Sequence, residues 1–541
     1  MFAMNSVTIY LAKTLIFIVL ISIIYSWILK TWNYFSEKNV TFVRGWPVLG
    51  SNFEVYLGKL SMAESFTSIY TKYPHNKIIG LYEIGGKPSY LVTNLDLIRD
   101  ITVKDFDYFL NHYFRMDKSL DPILGRTLFS MSNQPWREMR STLSPLFTGS
   151  KMRSMMALMI ECVQDFNSFV RKEIVSNGSN NKSHEYDTLE LMSQLANDVI
   201  GSTAFGLKMN TFNNPNNQFY KAGAAIAYAI TSLKTFFVLS FPRISKWLKL
   251  SVISLENNQF FRNVIRDTVN ERQANNVTRN DILQLLLLAK EGRLNEQFDN
   301  EIDQDTGFAT ISGVIASKTH EKLKNWTEDD LVAQCVLFFL AGFTGIATTF
   351  SFLCYELSVN EDIQNKLYAE IVATNDELEG KPITFECLQK MKYLDMVISE
   401  VLRLWPVGSF MDRAVSKQYV VEDYDGNKIL LQPNDIVWIP VFAIHRNDAY
   451  WPKADKFIPE RFSEENKRNI RPEMYMPFGL GPRACVASRY ALLQLKVVIY
   501  YILLTFRIEC SEKTPVPMKL KLGTAALTSA TGFWNRFTVR E

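Results

Sequence analysis

The run from Leu331 to Leu357 constrains the fold more than any other stretch of the chain. It is mostly apolar and carries no charge before Glu356. Thr327 with Asp330 makes a capping-box-like start, so the sequence predicts one helix over 327–357, about 40 Å long at roughly 1.5 Å per residue. A helix this apolar must be buried on most of its sides. Gly342, Gly345 and the acidic start favour a core helix over a membrane span. Such a core needs a large protein around it. The 541 residues, 47% hydrophobic and 13% aromatic, supply one. Length alone suggests several domains, yet no Gly/Ser/Pro-rich linker divides the chain, so one large domain is expected.

The other elements are shorter. Ile78–Leu81 and Pro88–Val92 read as strands of a small sheet. Met152–Val175 and Leu189–Gly201 carry apolar residues at helical spacing. Ala222–Phe241 is largely apolar and reads as a buried helix pair, while Glu291–His320 is polar and reads as a loop. Tyr419–Ile439 alternates as hairpin strands around Asp425-Gly426-Asn427. The fold class is therefore mainly α with small β-sheets.

The N-terminus reads as a membrane segment. Thr14–Leu29 is uncharged, and Val7–Ala12 extends the apolar stretch, with Lys13 near enough to its end to snorkel. No small-residue cleavage site follows, so an uncleaved anchor is preferred to a signal peptide. Lys30, Lys38 and Arg44 flank it and favour a cytoplasmic remainder. Gly45-Trp46-Pro47-Val48-Leu49-Gly50 is a stiff turn. The expected organisation is an anchor over 1–30, a linker and proline hinge over 31–51, and a catalytic domain over 52–541. A net charge of +3, from 59 basic and 56 acidic residues without a Lys/Arg block, argues against a nucleic-acid partner.

Six cysteines are scattered without framework spacing and read as mostly free thiols. One stands apart. Cys485 closes the run Phe478-Gly479-Leu480-Gly481-Pro482-Arg483-Ala484-Cys485. Gly479 and Gly481 let backbone amides approach its sulfur, Phe478 can cover it, and Arg483 can clamp a carboxylate. A thiolate so placed suits the axial position of haem iron. The run resembles the cysteine-ligand loop of the cytochrome P-450 superfamily, Phe-x-x-Gly-x-Arg-x-Cys-x-Gly, except that Ala487 replaces the last Gly. Further landmarks follow in the family's order. They are Trp136 and Arg140 as Trp-x-x-x-Arg, the long helix, Glu400 and Arg403 as Glu-x-x-Arg, and Arg461 in Phe457-Ile458-Pro459-Glu460-Arg461-Phe462. Phe106-Asp107-Tyr108-Phe109 and Ala341-Gly342-Phe343 resemble insect microsomal members related to vertebrate drug-metabolising forms.

The resemblance implies a haem b cofactor (iron protoporphyrin) between the long helix and the cysteine loop. Cys485 would be its metal ligand, and Trp136, Arg140, Arg413 and Arg483 would hold its propionates. Glu400, Arg403 and Arg461 would form a buried charge triad that braces the loop, and Ala341 and Gly342 would let the long helix pass close to the haem. His445-Arg446 resembles a further landmark that reads as packing. The implied activity is a monooxygenase that inserts one oxygen atom from O2 into a lipophilic small molecule. Its electrons would come from NADPH through a membrane-bound flavoprotein reductase, with cytochrome b5 as a further donor, at the endoplasmic reticulum membrane. The helix pair at Ala222–Phe241 would dip into the lipid bilayer. Pocket residues would come from segments around Asn111–Arg126, Ala222–Phe241, Val407–Met411 and Thr524–Thr531, with Phe109 and Tyr113 as aromatic candidates.

The long helix departs from the family pattern. Where family members carry an acid and an alcohol that relay protons, this chain has Thr344 and Gly345. A threonine hydroxyl can pass a proton but cannot supply one near neutral pH. Three readings follow: a monooxygenase that moves protons by water, Thr344 or a substrate group; a haem-thiolate enzyme that rearranges or dehydrates an oxygenated substrate; and a non-catalytic haem or ligand carrier.

Overall fold

The computed structural model describes residues 10–11, 13–19, 21–22, 33–176, 182–214, 216–231, 233–293, 308 and 326–540. Most of the anchor expected over 1–30 lies outside the described residues, as does most of the loop expected over Glu291–His320. The described part of 10–22 is helical, with Leu15, Ile16, Phe17 and Ile18 exposed.

The long helix forms where the sequence places it, but its winding changes midway. It runs Glu328–Leu340 as α-helix, Ala341–Gly345 as a π turn and Ile346–Val359 as α-helix again. The expected capping box is present: Thr327 N–H donates to the Asp330 carboxylate at 3.0 Å, and Asp330 N–H donates to Thr327 Oγ1 at 3.2 Å. In the π turn, Thr344 Oγ1 donates to the Leu340 carbonyl at 2.8 Å. That hydroxyl competes for an acceptor the helical ladder uses, and a local change of winding is the usual accommodation. The helix is apolar and long enough to cross a membrane, yet 72% of its most apolar window is buried in protein. It is the core helix, as its glycines and acidic start suggest. Its one buried amide, Gln334, is fully used. It accepts from Leu128 N–H at 2.9 Å and donates to the Arg126 carbonyl at 2.8 Å, which pins that loop to the helix.

Helices surround this axis. Thr188–Ile200 packs beside Ile346–Val359, and Gly149–Ser176 packs beside Ser488–Thr505. The apolar stretch after Asn217 forms two helices, Gln218–Thr231 and Leu233–Ser240, as expected.

Among the described residues, nine strands form three small sheets: β1 (Ile78–Tyr82), β2 (Pro88–Val92), β3 (Ser183–Asp187), β4 (Met411–Ala414), β5 (Tyr419–Glu422), β6 (Lys428–Leu431), β7 (Ile436–Ile439), β8 (Phe506–Cys510) and β9 (Trp534–Val539). Their orders are β1-β2-β7-β4, β3-β9-β8 and β5-β6. The predicted hairpin exists as β5 and β6, with Glu422 opposite Lys428. Ile436–Ile439 does not extend it. It pairs parallel to β2 and antiparallel to β4. The reason is its composition: Ile-Val-Trp-Ile is apolar on both faces and fully buried, as a central strand must be, whereas β6 alternates. One further bridge matters for the site. Asn111 pairs with Ala414, which lays the segment around residues 110–114 along β4.

Candidate active site

A cavity of about 510 Å³ lies between the long helix and the loop before Ser488–Thr505. Ala341, Gly342, Gly345, Ile346 and Thr349 line it from the helix, and Phe478, Gly479, Arg483 and Cys485 line it from the loop. Cys485 lies deep in the protein, yet its surface opens on this cavity, and none of the other five cysteines lines it. The loop is shaped by its glycines. Gly481 has φ +74°, and a Cβ there would sit 1.8 Å from the Thr102 carbonyl oxygen, so no other residue fits. Cys485 N–H donates to the Phe478 carbonyl at 2.8 Å. Burial pushes the thiol pKa up, while the Ala487 N–H and the Arg140 charge oppose that shift. Ala487 departs from the family's Gly at no conformational cost, because its φ is −105°.

One end of the cavity is strongly cationic. Trp136 and Arg140 reach it from the helix Asn133–Leu143, Arg413 from β4 and Arg483 from the loop. Arg483 Nε and Nη2 donate to the carbonyls of Leu110 and Met131, both at 2.9 Å, and its guanidinium lies 3.9 Å from the Trp136 ring centroid. Burial, then repulsion from Arg413, with further repulsion from Arg140 and Arg115, depresses the Arg483 pKa to about 8. Burial brings Arg140 down to about 10. The Nε atoms of Arg140 and Arg413 are buried without a hydrogen-bond partner. Buried cations and orphaned donors in one place call for an anion. Among the described residues the carboxylate of Asp412 is the one acid that lines the cavity, and it is already engaged. The chemistry of the donor set therefore suits a group that carries carboxylates at the arginine end and a thiolate-seeking metal near Cys485.

Behind the loop, Glu400 and Arg403 meet on the helix Lys392–Leu404. Arg403 Nε donates to Glu400 Oε2 at 2.7 Å and Nη2 to Oε1 at 2.8 Å, with both side chains fully buried. Arg461 Nε donates to Glu400 Oε1 at 3.2 Å. Two backbone carbonyls, of His445 and Lys456, accept from Arg403 Nη1 and Nη2. His445 has a larger share in this network than its sequence context suggests. It is fully buried, its Nδ1 lies 3.1 Å from the Arg403 carbonyl and its Nε2 accepts the Met476 N–H at 2.8 Å. Met476 immediately precedes Pro477 and the cysteine loop.

On the distal side, Thr344 and Gly345 diverge. Thr344 is exposed and its hydroxyl is turned back to Leu340; it does not line the cavity. Gly345 does line it, and a Cβ built there meets nothing within 4 Å. Gly342 also lines it, and its missing side chain lets the long helix close on Ile200 as well as on the cavity: a Cβ would approach Ile200 Cδ1 to 2.7 Å.

The expected pocket segments contribute unevenly. His112 and Phe114 line the cavity, as do Val407, Gly408, Phe410 and Met411. The described residues of 222–241 and of Thr524–Thr531 contribute nothing to it, whereas Leu128, Phe129 and Ile200 do. Phe109 is fully buried elsewhere, edge-on to Tyr419 at 4.9 Å, and Tyr113 lies under Lys87. Neither lines the cavity. Of the basic residues near the back of the loop, Lys496 is no surface charge: it is buried and paired with Asp395 at 3.0 Å. Sequence reasoning missed His112 and Asp412, whose side chains pair across the chain at 2.9 Å.

Known proteins are similar to this chain over nearly its whole length. The family model described as Cytochrome P450 matches residues 41–535. The chain is 38% identical to "Cytochrome P450 9e2" of Blattella germanica, covering 96% of each chain. It is 34% identical to "Probable cytochrome P450 9f2" of Drosophila melanogaster, over 97% of this chain and 99% of the relative. It is 32% identical to "Cytochrome P450 6k1" of Blattella germanica, over 92% and 91%.

Proposed function

The chain belongs to the cytochrome P450 family and is a haem b monooxygenase, and from that premise we propose that the cavity would seat the haem, with the Cys485 sulfur holding its iron. The observation that carries this reading is the cavity's polarity. Among the described residues a single cysteine opens on it, and three arginines gather at one end, two of them, Arg140 and Arg413, with a buried Nε that has no partner. Bound there, the haem supplies activation of O2 and transfer of one oxygen atom to substrate.

The chain's own residues do the rest. Arg140, Arg413 and Arg483, with Trp136, hold the propionates. The Ala487 N–H lowers the basicity of the sulfur and so tunes the metal. Phe478 and the loop backbone keep water from the sulfur. Glu400, Arg403 and Arg461 fix the ground on which the loop stands, with His445 between triad and loop. A buried charge triad adds little net stability, and its use is to specify one geometry. Ala341 and Gly342 keep the long helix close to the cofactor. Thr344 was the relay left by the sequence pattern, and its hydroxyl faces Leu340. Proton delivery therefore runs through the open space at Gly345, by water or by a substrate hydroxyl.

The substrate is a lipophilic small molecule, a xenobiotic or an endogenous lipid, terpenoid or steroid. Phe114, Leu128, Phe129, Ile200 and Phe338 give the cavity its apolar walls. Electrons come from NADPH through a flavoprotein reductase, with cytochrome b5 as a further donor. Residues 1–30 anchor the chain in the endoplasmic reticulum membrane, residues 31–51 form the hinge, and residues 52–541 work on the cytoplasmic side. Exposed Ile244, Trp247 and Leu248, interleaved with Lys246 and Lys249, support contact with a bilayer surface. The readings as a rearranging enzyme or a non-catalytic carrier give way to the family's activity.

The test is reconstitution with reductase and NADPH on a panel of lipophilic ethers, beside the same panel with an organic hydroperoxide. Product in the NADPH arm supports the reading. Product with hydroperoxide alone places electron delivery or proton supply outside it.

A further inference from the structure

The cationic end of the cavity contains one group that is not permanently charged. His112 stands where the bridge between Asn111 and Ala414 brings it against β4. Its Nδ1 lies 2.9 Å from Asp412 Oδ1, and its ring stacks on Phe129 with centroids 4.4 Å apart. Asp412 is fixed in turn. Its Oδ2 accepts the N–H groups of Tyr113 and Phe114, the latter at 3.1 Å, and its backbone carbonyl accepts from Arg413 Nη1 at 2.7 Å. The fixed carboxylate and the stacked ring together orient the imidazole. His112 lines the cavity beside Arg413 and Arg483, and its second nitrogen, Nε2, has no protein hydrogen-bond partner among the described residues.

We propose that His112 is a proton-linked member of the cofactor clasp: it takes up a proton from solvent when a propionate binds, and Nε2–H then donates to that carboxylate. The inference rests on the haem-site reading above and adds a titratable step to it. A carboxylate on one ring nitrogen and a second anion near the other favour the imidazolium, as an Asp–His–anion chain does.

Burial, and the positive charges of Arg413 and Arg483, push the His112 pKa down, while Asp412 pushes it up. Arg140 and Arg115 stand behind Arg483 and add to the positive field. Without an added anion the balance favours neutral imidazole. An incoming propionate neutralises the arginines and removes that opposition. The pKa of the loaded protein then lies above that of the unloaded one. By linkage, the extra hold on the cofactor is present below the lower pKa and is lost as pH rises through the higher.

The experiment uses the haem-loaded full chain and follows haem transfer to excess apomyoglobin by absorbance, at about pH 6 and about pH 8, on either side of an ordinary histidine pKa. Wild type, His112→Gln and His112→Arg are compared, each first checked for its reduced carbonyl spectrum. Wild type is expected to lose haem about tenfold faster at the higher pH, the size of one charge-assisted hydrogen bond. His112→Gln should be fast at both values and His112→Arg slow at both. A wild-type pH dependence that persists in either variant overturns the proposal. A thiolate-type spectrum in all three alongside that result leaves the haem site standing and removes only the histidine from the clasp. A thiolate-type spectrum missing from wild type as well overturns both.

Discussion

His445 Nε2 accepts the backbone N–H of Met476 at 2.8 Å while its Nδ1 faces the Arg403 carbonyl at 3.1 Å. One neutral ring therefore ties the charge triad to the entry of the cysteine loop. An acceptor at Nε2 requires the proton on Nδ1, so the two bonds fix a single tautomer.

This tie has a pH signature. Burial, then the Arg403 charge, depresses the His445 pKa to about 3. The folded form excludes a proton that the unfolded chain binds below about pH 6.5. The contribution is present above that value and is lost as pH falls toward 3. His445→Phe keeps the ring that stacks on Tyr475 but loses both bonds. It should destabilise the chain by about 1–3 kcal/mol for each buried group left unpaired. It should also flatten the fall in melting midpoint between about pH 6.5 and about pH 5, over which an ordinary histidine gains its proton.

Cys485→Ser exchanges a thiolate for a hydroxyl of similar size. The reduced carbonyl complex should lose its thiolate-type absorption. A thiolate-type spectrum that survives would remove Cys485 as the ligand.

Glu400→Ala removes the carboxylate between Arg403 and Arg461 and leaves a fully buried guanidinium without its acid. The expected cost is about 3–5 kcal/mol. Because the triad lies behind the loop, the share of expressed chain that carries haem should fall with it. The readouts are the melting midpoint and the ratio of Soret to protein absorbance. A variant with normal stability and normal haem content would show that the triad does not brace the site.

Gly345→Thr introduces a hydroxyl where a Cβ meets nothing within 4 Å, so it should fold without strain. Paired with Thr344→Asp, which also frees the Leu340 carbonyl from its hydroxyl partner, it should raise product formed per NADPH consumed. Coupling that does not change would mean that the native route already delivers protons at full rate.

Much of this site could be read from the chain because its parts are local in sequence. Gly481 and Cys485 share one loop, Trp136 and Arg140 one helix face, and Glu400 and Arg403 one turn. The capping box at Thr327 and the turn at Asp425-Gly426-Asn427 are local as well. What escaped depends on contacts between distant segments. His112 and Asp412 stand 300 residues apart in the chain, the latter on β4, until the Asn111–Ala414 bridge joins their segments. Lys496 looks like surface charge until Asp395 is placed beside it. Ile436–Ile439 has the composition of a central strand, but its neighbours β2 and β4 cannot be named from composition. The π turn is a shift in hydrogen bonding with no change in apolar periodicity, so no pattern of residue types announces it.

Arg483 grips Leu110 and Met131 by their carbonyl oxygens, not by their side chains. Any amino acid at those two positions offers the same acceptor. The segment between them, which gives Phe114, Leu128 and Phe129 to the cavity wall, thus hangs from two attachment points indifferent to its spelling. A lineage can rewrite that stretch and so reshape the cavity wall while the Cys485 sulfur, two residues beyond Arg483, keeps its seat.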